Sequence, residues 1–374
     1  MKRFCIAILG ATGSIGREVT HWLGAAGYSL RLGARQSKAL QTLAQRVNAQ
    51  AQVVDLYQQE ELDAFCKGCA LVVNCAGPSY LVLDRVARSA ALAGAHYIDV
   101  SGDAPVWHLL QQTPTSARGW TAVLSAGMLP GLANLMPDWL GVQPDDAITV
   151  YSGGRESVRG AAAGDLVLSV NNQYGTMAAS SYWYGEASAF WVKGEPHLRR
   201  LPTELHHDLA HFPGEVTLLP FLSSDAERLA LRHQLRELRW YNVFSGSFLR
   251  ETLTGLRGWV NSAERLAQAV AQVEQASELD LLGHSPYYRL VFDLIPHHTP
   301  RRRALISTDS SAALTAAVTV STVNALLRGD IAPGVHFADD ILMATQTFND
   351  VVRLHPGTQI RQYLPDERLE EGKL

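Results

Sequence analysis

Three glycines near the amino end have the spacing of a phosphate-binding turn. The run Gly10 to Gly16, GATGSIG, follows a short apolar stretch, Phe4 to Leu9, and precedes a helical pattern, Arg17 to Leu23. Between a strand and a helix, the first glycine allows a tight turn, the second admits a pyrophosphate to the backbone, and the third lets the helix pack closely. Free N–H groups at the helix start then bind the phosphates. The pattern predicts a dinucleotide site at Gly10, Gly13 and Gly16.

The residues after the second predicted strand, GARQSK, favour NADP(H) over NAD. An NAD site normally places a carboxylate here to bind the ribose 2′-hydroxyl, but the chain has no Asp or Glu between Glu18 and Asp55. Arg35, Ser37 and Lys38 instead supply two cations and a hydroxyl, which suit a 2′-phosphate. The alternative is a solvated loop without a ligand. Asp55, after the third predicted strand, is expected to approach the adenine.

Reduction by a bound nicotinamide also needs a proton donor in the protein or a bound water. The motif Tyr-x-x-x-Lys, which supplies the proton in short-chain dehydrogenases, is absent from the sequence. Asp103, in the turn after the fifth predicted strand, is the first candidate catalytic residue. Tyr80, Tyr97 and Tyr184 are the next candidates. Capping of the next helix is the competing interpretation for Asp103.

Two residue pairs have a suggestive spacing but a structural role is favoured for each. Cys66 and Cys69 have the spacing of a redox motif, yet they precede a strand rather than start a helix, where a thiol pKa would be lowered. His207 and His211 have the spacing of a zinc-binding helix, but the segment is short and no third ligand is evident. No metal site is predicted.

These groups must be positioned by alternating strands and helices over the first third of the chain. The predicted strands include Gln52 to Leu56, Ala70 to Cys75, His96 to Val100 and Thr121 to Ala126, and Leu81 to Ala93 is a predicted helix. Repeated βα units predict a doubly wound parallel sheet with ligands at the carboxyl ends of its strands. The segments that end the fourth and fifth strands should therefore line the cofactor cleft, and they contain Ala76, Gly77, Pro78 and Ser101.

The middle of the chain has a different pattern. From Asp146 onward, four aromatic and β-branched runs read as strands: ITVYSGGRE, EVTLLPFL, LRWYNVFSG and YYRLVFDLI. The stretch from residue 171 to 191 is dense in aromatic residues, and Tyr174, Trp183 and Tyr184 could wall a substrate pocket or belong to a core or dimer interface. The fold class is thus α/β, a Rossmann sheet with a second α+β substrate domain.

Composition restricts the classes of partner. The chain has 374 residues, 47% of them hydrophobic and 18% charged, with a formal net charge of -4. A net negative chain lacks the field that holds nucleic acid or an anionic membrane, and no apolar run is long enough for a spanning helix. Four cysteines do not form a disulfide framework, which favours the cytoplasm.

Several of these motifs together resemble the saccharopine dehydrogenase-like oxidoreductases: GATGSIG, GAR, VVNCAGPSY, AGAHYIDVSGD, SAGMLPGLANL and the closing RGDIAPGVHFADDIL. The resemblance implies that Arg35 contacts the adenosine side and that Ala76, Gly77 and Pro78 form the nicotinamide-side turn. The phosphate-binding positions that it implies are Gly10, Thr12, Gly13, Ser14, Ile15 and Gly16. It also implies a discontinuous arrangement: a Rossmann domain at 1–140, a substrate and dimerisation domain at 141–303, and a returning segment at 304–374.

The family resemblance implies NADPH-dependent reduction of a C=N bond in a small or carrier-protein-bound metabolite. In length and aromatic content the chain is similar to thiazolinyl imine reductases of siderophore biosynthesis. Two alternatives stay open: a trans-acting enoyl reductase, which reduces C=C, and a non-catalytic NADP-binding regulatory protein. A homodimer through the middle sheet is a further expectation.

Overall fold

A computed structural model describes residues 4–112, 119–171, 185–194, 201–297 and 300–363 of the chain. Within these ranges the strands are β1 (Cys5–Leu9), β2 (Ser29–Ala34), β3 (Gln50–Val53), β4 (Leu71–Asn74), β5 (His96–Asp99), β6 (Thr121–Leu124), β7 (Ala147–Arg155), β8 (Gly185–Ala187), β9 (Trp191–Val192), β10 (Glu204–Asp208), β11 (Glu215–Ser223), β12 (Glu237–Phe244), β13 (Tyr287–Ile295), β14 (Arg302–Thr308), β15 (Gly334–Phe337) and β16 (Gln359–Tyr363).

The helices of the same ranges alternate with the strands in the first third of the chain and are less regular afterwards. They are α1 (Ser14–Ala25), α2 (Ser37–Val47), α3 (Gln59–Cys66), α4 (Ser79–Val82), α5 (Arg85–Leu92), α6 (Ala104–Gln112), α7 (Leu132–Leu140), α8 (Ala161–Ser169), α9 (Ser224–Arg232), α10 (Phe248–Gly255), α11 (Ala263–Leu281), α12 (Ser311–Arg328), α13 (Ala338–Ile341) and α14 (Ala344–Leu354).

A seven-stranded parallel sheet forms the first domain, in the order β15-β6-β5-β4-β1-β2-β3. Its central strands are buried on both faces, which explains their uninterrupted apolar sequences. Helices α1, α2 and α12 cover one face, and α3, α5 and α6 cover the other. The strand order reverses between β1 and β4, and a dinucleotide binds at the carboxyl edge of such a crossover. The predicted Rossmann fold is confirmed.

A second, nine-stranded mixed sheet follows, with β10-β11-β12-β7-β13-β14-β16 as its main path. Most of its neighbours are antiparallel, whereas β7 and β12 run parallel. The four middle runs predicted as strands are β7, β11, β12 and β13. One face of this sheet packs against α7, α9, α12 and α14. The second domain is therefore α+β, as predicted.

Helix α12 belongs to both domains. Its residues Leu314 and Val318 pack in the core of the second sheet, whereas Val320 and Val323 pack on the parallel sheet. A helix that is apolar on all sides is expected to be buried in this way. Its amino end is held by Glu156, at the end of β7, which accepts a hydrogen bond from the Ser311 N–H at 3.0 Å.

The structure differs from the sequence-based expectations in three places. Strand β3 ends at Val53, so Leu56 lies in the turn that follows. The predicted helix from Leu81 to Ala93 is two helices, α4 and α5, because Leu83 has a positive φ of 50°. Strand β14 crosses the predicted boundary at residue 304, and β16 pairs with β14. The segment 304–374 thus contributes to both sheets.

Candidate functional site

The glycine run forms the turn between β1 and α1. Gly10 has a φ of +77°, which favours glycine, and a Cβ on Gly16 would lie 2.3 Å from the Gly10 carbonyl oxygen. Gly10 and Ala11 both donate N–H hydrogen bonds to the Gly33 carbonyl, at 2.9 and 3.1 Å. Gly13 and Ser14 are exposed at the helix start. The turn is therefore fixed against the end of β2 and presents its helix N-terminus to solvent.

The patch expected to bind a 2′-phosphate lies directly beside this turn. Arg35, Ser37 and Lys38 follow Gly33 at the end of β2 and the start of α2, and all three side chains are exposed. In the described part of the chain, neither the Arg35 guanidinium nor the Lys38 ammonium group makes a hydrogen bond or ion pair, although the Lys38 carbonyl accepts from the Thr42 hydroxyl at 3.0 Å. Both cations are therefore available. The described residues therefore fit NADP(H): the turn would hold the pyrophosphate, and Arg35 with Lys38 would hold the 2′-phosphate.

The other predicted cofactor residues lie along the same edge of the sheet. Asp55 lies after β3 and accepts a hydrogen bond from the Tyr57 N–H at 3.0 Å. Ser101 follows β5 and donates its N–H to Asp99 at 3.0 Å. The turn 76–78 follows β4, and the Asn74 side chain accepts the Ala76 N–H at 3.1 Å. The structure thus brings the predicted set to the carboxyl ends of β1 to β5, and its contacts with a cofactor stay a prediction.

Helix α8 of the second domain packs directly on the turn 76–78. A Cβ on Gly77 would lie 2.7 Å from the Ala161 Cβ, and one on Gly164 would lie 2.5 Å from Pro78 Cγ. Asp165 accepts hydrogen bonds from the Ser79 N–H at 2.8 Å and the Ser79 hydroxyl at 3.0 Å. Burial raises the pKa of Asp165 to about 7, although these hydrogen bonds oppose the rise. Asp165 therefore fixes the second domain to the turn.

Asp103 lies in the turn between β5 and α6, next to Asp225 of α9. Burial, and secondly the charge of Asp225, raise the pKa of Asp103 to about 7. Asp225 is itself fixed, because it accepts from the Asn134 amide at 2.8 Å and pairs with Arg228 at 3.1 Å. Within the described ranges, the Asp103 carboxyl accepts a hydrogen bond from its own backbone N–H and has no hydrogen-bond partner on another residue. Asp103 can therefore hold a proton near neutral pH and present it to a ligand.

The tyrosine candidates differ in their placement. Tyr97 is fully buried in β5 and donates its hydroxyl to Asp99, so it belongs to the core. Tyr80 lies in α4 and packs against the cluster formed by α8, α10 and α11. Tyr184 lies outside the described residues, as do Tyr174 and Trp183. Among the described candidates, Asp103 has a pKa raised to about 7, and its catalytic role stays a prediction.

Sequence reasoning missed Asp165, Asp225 and Asn134. Asp165 stands in AAAGDLVLS, a run of small and apolar residues in which a single carboxylate was the available signal. Asp225 follows the N-cap Ser223, whose hydroxyl accepts from the Ala226 N–H at 3.0 Å, so it reads as an ordinary first-turn acid. Only their long-range packing brings them to the cleft.

The cysteine and histidine pairs do not form the motifs that their spacing suggests. Cys66 ends α3, and Cys69 contacts Cys5 instead, with 3.3 Å between the two sulfurs. His207 lies in strand β10 rather than on a helix. Among the described residues, no group of three His, Cys, Asp or Glu side chains is arranged to hold a metal ion. Likewise, no helix of the described ranges is long and apolar enough to cross a membrane.

A cavity of about 930 Å³ opens beside Asp103. Ala104 and Ser224, the neighbours of Asp103 and Asp225, lie on its wall, as do Trp107, Leu231 and Phe337. The rings of Trp107 and Phe337 are stacked, with centroids 6.3 Å apart. The cavity therefore adjoins the turn of the candidate acid.

Replacing Arg35 by Ala should weaken NADPH binding far more than NADH binding. A charge-assisted contact to phosphate contributes about 1.5 to 3 kcal/mol, which corresponds to a roughly 10- to 100-fold change in Kd. Calorimetric titration with both coenzymes tests this expectation. Arg46→Ala, at the exposed far end of α2, is the matched control and should leave both affinities unchanged. Equal losses for NADPH and NADH would show that Arg35 does not select the phosphate.

Comparison with known proteins agrees with this geometry. Residues 6–122 match the family model described as saccharopine dehydrogenase NADP binding domain. The fold resembles apo saccharopine dehydrogenase (L-Glu forming) from Saccharomyces cerevisiae, with a TM-score of 0.64 and 12% identity over 96% of this chain and 99% of that chain. A lipid droplet localized protein of Caenorhabditis elegans is 27% identical over 120 residues, which cover 29% of this chain and 28% of that protein.

The matched domain contains the glycine turn, Arg35 and the turns after β4 and β5, which are the elements built above from geometry. The chain spans less than a third of the Caenorhabditis elegans protein. The likeness to the yeast enzyme shows that the fold extends over the second domain as well. The predicted cofactor, NADP(H), is confirmed by the family model. Residues 6–122 therefore form a domain of the saccharopine dehydrogenase NADP-binding type, and the fold of the chain as a whole resembles that of saccharopine dehydrogenase.

Proposed function

We propose that the protein is an NADPH-dependent reductase of a C=N bond in a small or carrier-tethered metabolite, with a thiazolinyl imine as the specific candidate. One observation carries the proposal: the Asp103 carboxyl, whose pKa is about 7, lies at the same edge of the sheet as the dinucleotide turn. When bound, the cofactor supplies a hydride. The protein must supply a proton, and a donor is most effective when its pKa lies near the working pH.

The acidity of Asp103 supports an imine more than an enoyl substrate. An imine nitrogen is basic enough to accept a proton from a group with a pKa near 7, and a protonated imine is the better hydride acceptor. An enoyl substrate instead needs a proton at carbon. The other residues of the site position the reactants: Arg35 and the glycine turn would bind the cofactor, and Asp165 holds α8 against the turn 76–78.

The cavity beside Asp103 supports a substrate with an apolar part. Its two guanidinium groups are already neutralised, because Arg228 pairs with Asp339 at 2.6 Å, and Arg232 pairs with Asp339 at 2.6 Å and Asp138 at 3.1 Å. A substrate carboxylate would therefore have to displace an existing partner. Leu231, 57% exposed, and the rings of Trp107 and Phe337 offer apolar surface instead. The same apolar side chains would also suit a carrier-bound acyl chain, so reduction of a C=C bond in such a chain is a second candidate function.

Turnover of defined substrates tests the proposal. NADPH consumption is measured with 2-methyl-2-thiazoline, 2-hexyl-1-pyrroline and crotonyl-pantetheine. Oxidation of NADPH by either cyclic imine supports the proposal. Turnover of crotonyl-pantetheine alone assigns the protein to enoyl reduction. NADPH binding without turnover of any of the three would favour the regulatory alternative and contradict the proposal.

Replacing Leu231 by Glu should raise the KM for 2-hexyl-1-pyrroline by about tenfold or more, because the hexyl group would lose apolar surface and meet a charge. The KM for unsubstituted 1-pyrroline should change little. Leu92→Glu, at the 79% exposed end of α5, makes the same change outside the cavity and should leave both values at the wild-type level. Identical KM values for L231E and wild type would place the substrate elsewhere.

Location and assembly are part of the same proposal. The four cysteines are free thiols, which supports a reducing compartment such as the cytoplasm. The proposed homodimer would form through the second sheet. Size-exclusion chromatography with light scattering would contradict the dimer by giving the mass of one chain at all concentrations.

A further inference from the structure

The two sulfurs of Cys5 and Cys69 lie 3.3 Å apart, although 64 residues separate them in the sequence. Cys5 is the first residue of β1, and Cys69 lies in the turn before the neighbouring strand β4. The Ala70 N–H donates to the Cys5 carbonyl at 2.9 Å, and Ile6 lies opposite Leu71. Neighbouring strands are about 4.8 Å apart, which lies within the range of Cα separations that disulfides span. The backbone therefore already has a geometry compatible with a bond.

The turn that carries Cys69 is held in place by Arg31. This guanidinium donates hydrogen bonds to the Phe65 carbonyl at 2.7 Å and to the Lys67 carbonyl at 2.8 Å. Hydrogen bonding from Cys69, followed by the charge of Arg31, lowers the pKa of Cys5 to about 6, although burial opposes the shift. The same contact and burial raise the pKa of Cys69. Cys5 is thus the thiol of the pair that ionises to a thiolate, and Cys69 keeps its proton.

The two thiols differ in their access to solvent. Cys5 is partly exposed, whereas Cys69 is buried behind it. Cys66, the other member of the sequence motif, is buried in the core cluster with Leu62 and Phe65, and burial raises its pKa to about 12. In the described part of the chain, Cys66 makes no sulfur contact with Cys69. The reactive pair is therefore the one assembled by the sheet, and the motif in the sequence is not a redox pair.

We propose that Cys5 and Cys69 form a reversible oxidation site at the amino-terminal edge of the parallel sheet, where a low-molecular-weight disulfide such as oxidised glutathione acts as the oxidant. The Cys5 thiolate attacks one sulfur of that disulfide, which forms a mixed disulfide and releases one glutathione as its thiolate. Cys69 transfers its proton to solvent and attacks the Cys5 sulfur, which releases the second glutathione. Two protein thiols are oxidised, and one glutathione disulfide is reduced to two thiols.

This site lies at the opposite edge of the sheet from the dinucleotide turn. Oxidation should therefore leave NADPH affinity unchanged and raise the melting temperature, because the bond closes a long loop of the unfolded chain. The inference does not depend on the proposed reduction of an imine. Its failure and the failure of that reaction would be seen in separate measurements.

The experiment incubates the full-length protein in buffers with increasing ratios of oxidised to reduced glutathione, blocks free thiols with iodoacetamide, and maps disulfides by peptide mass spectrometry. Wild type should form a Cys5–Cys69 disulfide that dithiothreitol reverses. Cys69→Ser should stop at the mixed disulfide of Cys5 with glutathione, and Cys5→Ser should form neither product. Cys66→Ser and Cys75→Ser are the matched controls and should form the same disulfide as wild type.

The peptide map of the wild-type protein decides the proposal even where a serine variant fails to fold. A Cys66–Cys69 disulfide in place of Cys5–Cys69 would overturn it. Four alkylated thiols at every glutathione ratio would overturn it as well.

Discussion

Replacing Asp103 by Asn should lower kcat/KM for an imine substrate by about 100- to 10,000-fold, which is the usual contribution of a positioned general acid. NADPH affinity should stay close to the wild-type value, because Asp103 lies after β5 while the phosphates are expected at the end of β1. Stopped-flow measurement of NADPH oxidation, together with calorimetric titration of NADPH, separates the two effects. Asp145→Asn, at an exposed site paired with Lys193, is the matched control and should retain full activity.

The pH dependence of the same variant provides a second check. The pKa of Asp103 is raised from an ordinary value of 3.8 to about 7, so wild-type kcat/KM should fall as pH rises through about 7 and the proton is lost. Stability has the same sign, because the folded state prefers the protonated form: the contribution is complete below about 4 and is lost as pH rises through about 7. Both kcat/KM and stability should therefore depend less on pH in Asp103→Asn than in the wild type. An unchanged activity profile in this variant would show that another group donates the proton.

Asp165→Asn tests whether Asp165, whose pKa is also raised to about 7, is a proton donor or a positioning residue. Asp165 accepts both hydrogen bonds from Ser79 on the same oxygen, Oδ1. An Asn oxygen at that position would still accept them, but the bonds would lose the strengthening by charge, and an NH₂ group would replace Oδ2. We therefore expect a lower melting temperature and weaker NADPH binding, with a pH profile that still shows the ionisation of Asp103. Loss of that ionisation in Asp165→Asn, with NADPH affinity intact, would make Asp165 the acid instead.

The sequence predicted those features of the candidate site that depend on a short stretch of the chain. The glycine spacing, the absence of carboxylates after β2 and the apolar strands are all readable over short stretches, because each depends on a turn or on burial of one strand. The fold class follows from the same alternation. Asp103 could be named as a candidate because it lies in the turn after a predicted strand, where ligands of parallel sheets bind.

The parts that the sequence could not predict depend on packing between distant segments. Asp165 and Asp225 reach the cleft through α8 and α9, which come from the second domain. The contact of Cys5 with Cys69 arises because β1 and β4 are neighbours at the crossover of the sheet, so residues far apart in sequence share one edge. The positive φ of Leu83 likewise breaks a helix that its composition would have continued.

Replacing Gly13 by Val should abolish NADPH binding without unfolding the protein, with a loss in affinity of at least about 100-fold because the side chain would occupy the space of the pyrophosphate. Gly13 is exposed, its φ of -70° is accessible to valine, and a Cβ there would lie 3.3 Å from the Gly10 carbonyl oxygen. The fold should therefore lose only about 1 kcal/mol or less, mainly through a poorer helix cap.

Comparison with Gly16→Ala distinguishes a substitution in this turn that destabilises the fold from one that blocks coenzyme binding. Its Cβ would lie 2.3 Å from the Gly10 carbonyl oxygen and 2.8 Å from the Ala11 Cα, so the helix would have to move away from β1. We expect a loss of about 1 to 3 kcal/mol in the free energy of unfolding, as for other overpacked sites. Thermal melting and NADPH titration of both variants distinguish the two roles. A Gly13→Val protein that binds NADPH with wild-type affinity would show that the coenzyme does not lie on this turn, since the valine side chain is expected to fill the space of the pyrophosphate.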